Sequence, residues 1–415
     1  MENRGPPCEV SMPLSEDRVF ATLRESGMPD VPERFSIALT HQGIPRAILA
    51  EIDAFLHVFD RVTTRSAWQH TVTALGPEIA RVKRSEVCFF SAWDFHVPHE
   101  QPHHWQLIEC NDNGSGLLFA ALINHIYYEA SGLCRRGVVE APAAFSVFTQ
   151  RVAGMIRREA EAFFGELPRG LLLILDDAES LQKGKFQHEL ILLRDLCRRD
   201  GWTAEIGSPA ETHWDGRQLL WHGQRVSFVV NRSTDFFWEA EVLLSVSAAY
   251  HHGSVYVAPN PFTYATRSDK RLLEFLSHPS WDAELGIQSQ ERTVLSAHVP
   301  ETHLVRTENI EDLARRRDEF FFKPSHGFAS RGLLTGSQVG RARLRRLIRK
   351  GEAYIAQRRA PKFRLETSDG VCLWTDLRVW AYRGERFLLS GRASRHADIL
   401  DLTSPGGWLP TYAEA

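Results

Sequence analysis

A lysine followed by a loop of small residues is the first feature of this sequence with a recognisable chemistry. The apolar run 320–322 leads into Lys323, and glycines and serines dominate the residues after it. Small side chains let backbone N–H groups approach an anion closely, and a lysine supplies positive charge beside them. We predict a phosphate-binding loop between two strands, with contacts from Lys323, Ser325, Gly327, Ser330, Arg331 and Gly332. A plain hairpin is the alternative, because short glycine-rich motifs are common and this one lacks the Walker pattern.

Side chains that suit a hard cation occur much earlier in the chain. Glu109 and Asn111 are two residues apart in a predicted strand, so their side chains point to one face. Asp94 lies in the strand predicted before it, and a hairpin would bring its carboxylate beside them. Mg²⁺ prefers such oxygen ligands together with phosphate oxygens and waters. These three residues are therefore the predicted magnesium site, with a polar turn as the alternative for the Glu-x-Asn pair.

A third group of residues combines an acid with two arginines. Asp376 and Arg378 share one face of a predicted strand, and Arg392 lies on the next strand after a turn at Gly384. Cations placed in this way stabilise the charge that develops on a phosphoryl group or an oxyanion during reaction. A structural ion pair across the sheet explains the same pattern equally well.

A fourth segment, 354–357, reads as an apolar strand that ends in Gln357. Its backbone would read the edge of an adenine ring while its apolar side chains sandwich that ring. The alternative is an ordinary core strand.

The elements that must position these residues indicate an α/β protein. Strands alternate with helices between residues 166 and 265, as in a small Rossmann-like unit, although no G-x-G-x-x-G follows its first strand. Residues 1–84 are predicted to be mostly helical after a loosely ordered start. Residues 85–165 hold the acidic hairpin and helices, and residues 266–415 hold a helical linker and the strands of the glycine loop.

Composition excludes several classes of protein. The chain has 415 residues, a net charge of −3 and ordinary proportions of apolar and charged residues, so no basic field points to nucleic acid. No apolar run reaches the length of a membrane span, and no secretory leader is recognisable at the start. The six cysteines include no C-x-x-C pair, which suits a reducing compartment. We expect a cytoplasmic enzyme or binding protein of unknown oligomeric state.

The order of the motifs resembles the ATP-grasp superfamily: Lys-Pro, glycine-rich loop, strand ending in glutamine, Asp-x-Arg and a later arginine. In the usual order the metal-binding Glu-x-Asn comes last, whereas here it lies far upstream. This looks like the circularly permuted arrangement of glutathionylspermidine synthetase-like proteins, with a Rossmann-like unit between the acidic hairpin and the lysines. The similarity lies in motif order and covers roughly residues 85–410.

The resemblance implies a ligase that uses ATP and Mg²⁺ to join a carboxylate to an amine. Asp94, Glu109 and Asn111 would hold the metal, and Arg378 and Arg392 would serve catalysis near the γ-phosphate. The nucleotide would be contacted by the loop residues together with Lys270, Lys323 and Gln357. The substrates would be small molecules or peptides, with no nucleic acid or membrane as partner.

One position departs from the family pattern. The synthetases carry an arginine two residues before the metal-binding aspartate, and here that position is Ala92. An inactive ATP-binding regulatory or scaffold protein, or a small-molecule phosphotransferase on the same fold, therefore stand as alternatives.

Overall fold

The computed structural model describes residues 16–26, 36–85, 90–327, 332–367, 370–398, 400 and 402–415, and all structural statements concern these residues. The helices among them are α1 (Glu16–Glu25), α2 (Arg46–Thr63), α3 (Ser66–Thr73), α4 (Leu117–Ala130), α5 (Leu133–Arg136), α6 (Phe145–Phe164), α7 (Ala178–Lys183), α8 (Gln187–Arg199), α9 (Leu244–His252), α10 (Pro261–Thr263), α11 (Leu272–Ser277), α12 (Asp282–Leu285), α13 (Ser289–His298), α14 (Ile310–Arg315) and α15 (Arg341–Arg349).

The strands are β1 (Gln42–Ile44), β2 (Ser91–His96), β3 (Gln106–Asn111), β4 (Leu171–Leu175), β5 (Ala204–Gly207), β6 (Thr212–Trp214), β7 (Leu219–Trp221), β8 (Gln224–Asn231), β9 (Tyr256–Ala258), β10 (Thr302–Leu304), β11 (Phe320–Pro324), β12 (Tyr354–Arg358), β13 (Phe363–Glu366), β14 (Cys372–Tyr382), β15 (Glu385–Ser394), β16 (Gly407–Leu409) and β17 (Thr411–Ala413). A mixture of helices and sheets of this kind agrees with the predicted α/β class.

The largest sheet carries the acidic and basic residues singled out in the sequence. Among the described residues its strands run in the order β16-β15-β14-β2-β3, all antiparallel, and β13 also pairs with β14. Asp94 lies opposite Arg378 on one side and opposite Glu109 on the other. Asp376 lies opposite Arg392 in the next pair of strands. Cross-strand neighbours of this kind have their side chains in contact distance, so the register brings these residues together.

The two faces of this sheet are packed differently. One face buries Trp93, Phe95 and Val379 against the apolar stripe of α2. Side chains alternate along a strand, so the residues between them point to the other face. There Ala92 and Trp380 pack with α4 and α6, whereas Asp94 and Arg378, further along the same strands, lie at the polar site described below.

A second sheet lies between residues 171 and 258, within the range predicted to be a Rossmann-like unit. Strands β5, β4, β8 and β9 are parallel, and β7 and β6 extend the sheet in antiparallel fashion. Strand β4 is the first strand of this sheet along the chain, and its five residues are all buried. A continuous apolar run of this kind is typical of a strand that is covered on both faces.

The third sheet brings in the glycine-rich segment. Strands β10, β12 and β11 are antiparallel, with β12 in the centre, and pack against α14 and α15. Two expectations were wrong here. Residues 332–335 form no strand of their own, and only Leu334 bridges to Phe322. The segment predicted as a helical linker contains the strand β10, which completes the small sheet.

The described part of the chain has no helix that combines the length and the apolar character needed to cross a membrane. The division of the chain at residues 84, 165 and 265 stays a prediction.

Candidate functional site

The candidate site lies where the large sheet meets the three-stranded sheet. Lys323 ends the apolar part of β11, and its Nζ donates to the side-chain oxygen of Gln357 at 2.6 Å. The amide nitrogen of Gln357 donates in turn to the carbonyl of Ile108 at 3.1 Å. Ile108 immediately precedes Glu109 on β3, so this chain of bonds joins the two sheets beside the predicted metal ligands.

Glu109 lies near two positively charged side chains, those of Lys270 and Lys323. Asn111 donates to its Oε1 at 3.2 Å, and the Nζ of Lys270 lies 3.4 Å from its Oε2. Burial alone would raise the pKa of the Glu109 carboxyl, but Lys270 and Lys323 more than offset that effect and hold the pKa well below its usual range. Glu109 is therefore ionised, as a cation ligand must be.

The pKa of the Lys323 amine is also lowered, but for a lysine this favours the neutral form. Burial lowers the pKa of its amine from 10.5 to about 8, and the neighbouring Glu109 only partly opposes that change. The amine is therefore charged near neutral pH but loses its proton in mildly alkaline solution. An anionic ligand at this site would favour the charged form.

A network of acids and arginines continues the site along the large sheet. Arg378 donates to both carboxylate oxygens of Asp94, at 2.6 and 2.8 Å, and Arg392 donates to the second of them at 2.9 Å. Arg392 also donates to Asp376 from its backbone N–H at 2.8 Å and from Nε at 2.9 Å. Burial lowers the pKa of the Arg392 guanidinium, but Asp376 and Asp94 outweigh burial and hold that pKa above its ordinary value.

The glycine-rich segment is tethered to this network. The Nζ of Lys270 donates to the carbonyl of Gly327 at 2.6 Å, so one amine contacts both the loop and Glu109. Ser325 is fully buried, and its hydroxyl has no hydrogen-bond partner among the described residues. Ser330 and Arg331, two of the predicted phosphate contacts, lie outside the described residues.

Gly332 is the first described residue after these two, and it has a left-handed backbone conformation with φ of +75°. A Cβ at this position would lie 2.8 Å from Cγ of Pro324 and 3.1 Å from the hydroxyl of Tyr354. That hydroxyl donates to the carbonyl of Gly332 at 3.1 Å. Both the backbone angle and the close approach require glycine here.

The backbone of residues 354–357 is not free to bind an adenine edge, the role that the sequence left open for it. It forms β12, the central strand of the small sheet, and its residues pair with β10 on one side and β11 on the other. A backbone whose two edges are both paired has no free donors or acceptors along the strand to read an adenine edge. Only the side chain of Gln357 therefore brings this strand into the site.

Two residues of the site were given no role from the sequence. Burial and the nearby Lys362 lower the pKa of His96 to about 3, which keeps its imidazole neutral. Burial also lowers the pKa of Lys362, which lies near Asp376 and Arg392. His96 is two residues after Asp94 in β2, a spacing that puts both side chains on one face in a regular strand. Lys362 lies in the connection from β12 to β13, and no sequence pattern marks it.

The donor set meets the needs of Mg²⁺ in part. The described residues contain no group of three histidine, cysteine, aspartate or glutamate side chains that could hold a metal ion. The ionised Glu109 and the side-chain oxygen of Asn111 are of the kind that Mg²⁺ binds. Asp94 fits less well as it stands, because its oxygens accept three bonds from Arg378 and Arg392. The structure thus brings the three predicted ligands to one place but gives Asp94 other partners.

Among the described residues of this site, cationic side chains outnumber carboxylates. The cationic side chains are Lys270, Lys323, Lys362, Arg378 and Arg392, and the carboxylates are Asp94, Glu109 and Asp376. The excess charge is partly buried, where it attracts an anion more strongly than in water. An arrangement of this kind can bind a polyanion and can neutralise charge that develops on it.

Comparison with known proteins identifies the fold. No protein-family model matches the sequence, and no curated protein matches it. Solved structures do match. One is the apoform of a glutathione synthetase-like effector, GSS30, from Globodera pallida, with a TM-score of 0.57 and 10% identity over 97% of this chain and 98% of that chain. At such low identity the similarity concerns the fold alone.

Proposed function

We propose that this protein is an ATP-dependent carboxylate–amine ligase of the permuted ATP-grasp type. The observation that carries the proposal is the convergence of Lys270, Lys323 and Arg392 on the acidic residues of β2 and β3. The fold shared with a glutathione synthetase-like protein supports the same class. The motif order agrees with it as well.

In the proposed reaction a carboxylate oxygen of the acid attacks the γ-phosphorus of ATP, which gives an acyl phosphate and ADP. The amine nitrogen then attacks the acyl carbon, phosphate leaves, and the amine loses a proton, so an amide forms. Mg²⁺ bound by Glu109 and Asn111 would neutralise phosphate charge. Lys270 and Lys323 hold the polyphosphate, and Arg392 supplies the cation that stabilises the transferring group.

The roles of Arg378 and Asp94 follow from their mutual contacts. Arg378 donates to both carboxylate oxygens of Asp94, and Arg392 donates to one of the same oxygens, so Arg378 helps to hold Asp94 and Arg392 in place from the adjacent strand. We propose that Arg378 positions this pair and that Arg392 is the cation that meets the phosphoryl group. Both substrates would be small molecules or peptides.

Trapping with hydroxylamine tests the reaction without knowledge of the amine. The protein is incubated with MgATP, hydroxylamine and pools of small carboxylic acids, and hydroxamate and ADP are measured. An acyl phosphate gives hydroxamate, phosphate and ADP in equal amounts, and Arg392→Met abolishes all three. A product that keeps the phosphoryl group favours the phosphotransferase alternative. Nucleotide binding without ADP formation favours an inactive binding protein, the alternative that Ala92 suggests.

A further inference from the structure

A cavity of about 320 Å³ lies away from the site just described, and its lining shares none of the described residues predicted for that site. Its walls come from α2, α6, the start of β2, β9, Arg267 and the turn between β14 and β15. The volume falls in the range of small-molecule sites. Trp93 and Asp94 are consecutive in β2 but point to opposite faces of the sheet, so the cavity and the candidate nucleotide site lie on opposite sides of one strand.

Among the described residues that line the cavity, arginines outnumber acids. Arg267 pairs with Asp60 at 2.6 Å, and Arg383 donates to both oxygens of the buried Glu159, at 2.9 and 3.0 Å. Arg84 has no carboxylate partner among the described residues. Its Nε donates to the carbonyl of Tyr250 at 3.2 Å, and its Nη2 donates to that of His251. Within the described part of the chain, no acid therefore neutralises the Arg84 guanidinium, and its Nη1 has no hydrogen bond.

The remaining wall is aromatic. Tyr256 and Trp93 are buried, and Phe163 packs edge-on against Tyr256 with ring centroids 5.3 Å apart. The indole N–H of Trp93 is buried and has no acceptor among the described residues. Aromatic surfaces beside a guanidinium suit a ligand with a flat apolar body and an anionic group.

We propose that this cavity binds a small organic anion in which a carboxylate or phosphate group is attached to a flat, apolar body. Arg84 takes the anionic group, and Trp93, Phe163 and Tyr256 contact the body. The proposal does not depend on the ligase assignment, because none of the described residues that would bind nucleotide line the cavity.

Calorimetric titration of benzoate and phenyl phosphate into the full chain tests the proposal and distinguishes the two anionic groups. Benzamide, which has the same shape without the charge, is the ligand control. We expect at least one of the anions to bind at millimolar concentration or better, and benzamide to bind about tenfold or more weakly, because a charged hydrogen bond is lost.

Two pairs of variants locate the binding. Ala162→Trp fills the cavity and abolishes binding, whereas Glu161→Trp, at the exposed neighbouring position, leaves binding unchanged. Arg84→Met weakens binding about tenfold, whereas Arg81→Met, at an exposed position outside the cavity, does not. All four variants keep the wild-type affinity for MgATP. Absence of binding by both anions, equal binding of benzamide, or binding that survives Ala162→Trp would overturn the proposal.

Discussion

Asp94 and Arg378 face each other across adjacent strands, and two hydrogen bonds of 2.6 and 2.8 Å join them. Asp94 is only 1% exposed, and Arg392 from the next strand donates to the same carboxylate. The pair therefore connects three strands of the large sheet at the level of the candidate site. A buried carboxylate with these partners is costly to leave unpaired, so the pair constrains both the stability of the sheet and the position of Arg392.

Arg378→Leu is expected to lower the free energy of unfolding by about 2–4 kcal/mol, because the buried Asp94 loses two of its three donors. Urea unfolding measures the loss. The double variant Asp94→Leu/Arg378→Leu is expected to lose less than the sum of the two single changes, since neither charge is left without the other. Glu311→Gln, which removes an exposed partner of Arg341, is the control and should change stability by no more than about 0.5 kcal/mol. If Arg378→Leu lowers the free energy of unfolding no more than the control does, the Asp94–Arg378 pair does not stabilise the sheet.

Gly332→Ala tests the conformation of the glycine-rich segment. The new Cβ would meet Pro324 at 2.8 Å in a left-handed backbone, so the chain must shift where it would cover phosphates. We expect the affinity for MgATP to fall about tenfold, and the free energy of unfolding to fall by about 1–2 kcal/mol. Gly340→Ala is the matched control, because a Cβ there has no atom within 4 Å. Equal affinities for the two variants would contradict a role for this segment in binding.

The pKa of Lys323 predicts a pH dependence of nucleotide binding. Burial lowers this pKa from 10.5 to about 8, so the amine is charged at neutral pH and neutral in more alkaline solution. Affinity for MgATP should fall as pH rises through about 8, and binding above that pH should take up a proton, visible as a buffer-dependent enthalpy. In Lys323→Arg the charge persists and this dependence disappears. An unchanged pH profile in Lys323→Arg would mean that another group titrates.

The lowered pKa of Lys323 also makes the stability of the folded chain depend on pH. Between about pH 8 and 10.5 the unfolded chain binds a proton that the folded chain does not, so the contribution of Lys323 to the free energy of unfolding rises with pH in that interval. Comparison of wild type with Lys323→Met by urea unfolding across these pH values measures that contribution.

Ala92→Arg tests the departure from the synthetase pattern. Ala92 is 2% exposed and packs with Leu117 and Trp380, so there is no space for the longer side chain. We expect the free energy of unfolding to fall by about 2–4 kcal/mol, from overpacking and from burial of an unpaired charge. Ala92→Ser should cost less than about 2 kcal/mol. A stable Ala92→Arg variant that gains hydroxamate formation would show instead that the missing arginine alone limits activity.

Much of the candidate site could be predicted from the sequence because strand periodicity assigns side chains to faces. Glu109 and Asn111 share a face of β3, and Asp376 and Arg378 share a face of β14, as their spacing predicts. The partners across strands could not be predicted. A register shift between Asp94 and Phe95 changes the pairing of β2 with β3, and such a bulge has no reliable signature in a single sequence.

Contacts made by residues in the links between strands could not be predicted from the sequence either. Lys362 reaches the site from the link between β12 and β13, where no periodicity applies. The short strands β1 and β17 were not predicted, because their pairing joins two segments at opposite ends of the chain. Parallel pairing over such a separation depends on the whole fold rather than on local pattern.

Calorimetric titration of ATP, with and without Mg²⁺, tests the central claim most directly. Wild type should bind ATP with Mg²⁺ and much more weakly without it. Glu109→Ala, Asn111→Ala and Lys323→Ala should each lose about tenfold or more in affinity, whereas Lys350→Ala, at an exposed lysine at the end of α15, should bind as wild type does. No binding at millimolar ATP, or binding that the three variants leave unchanged, would contradict a nucleotide site between these two sheets.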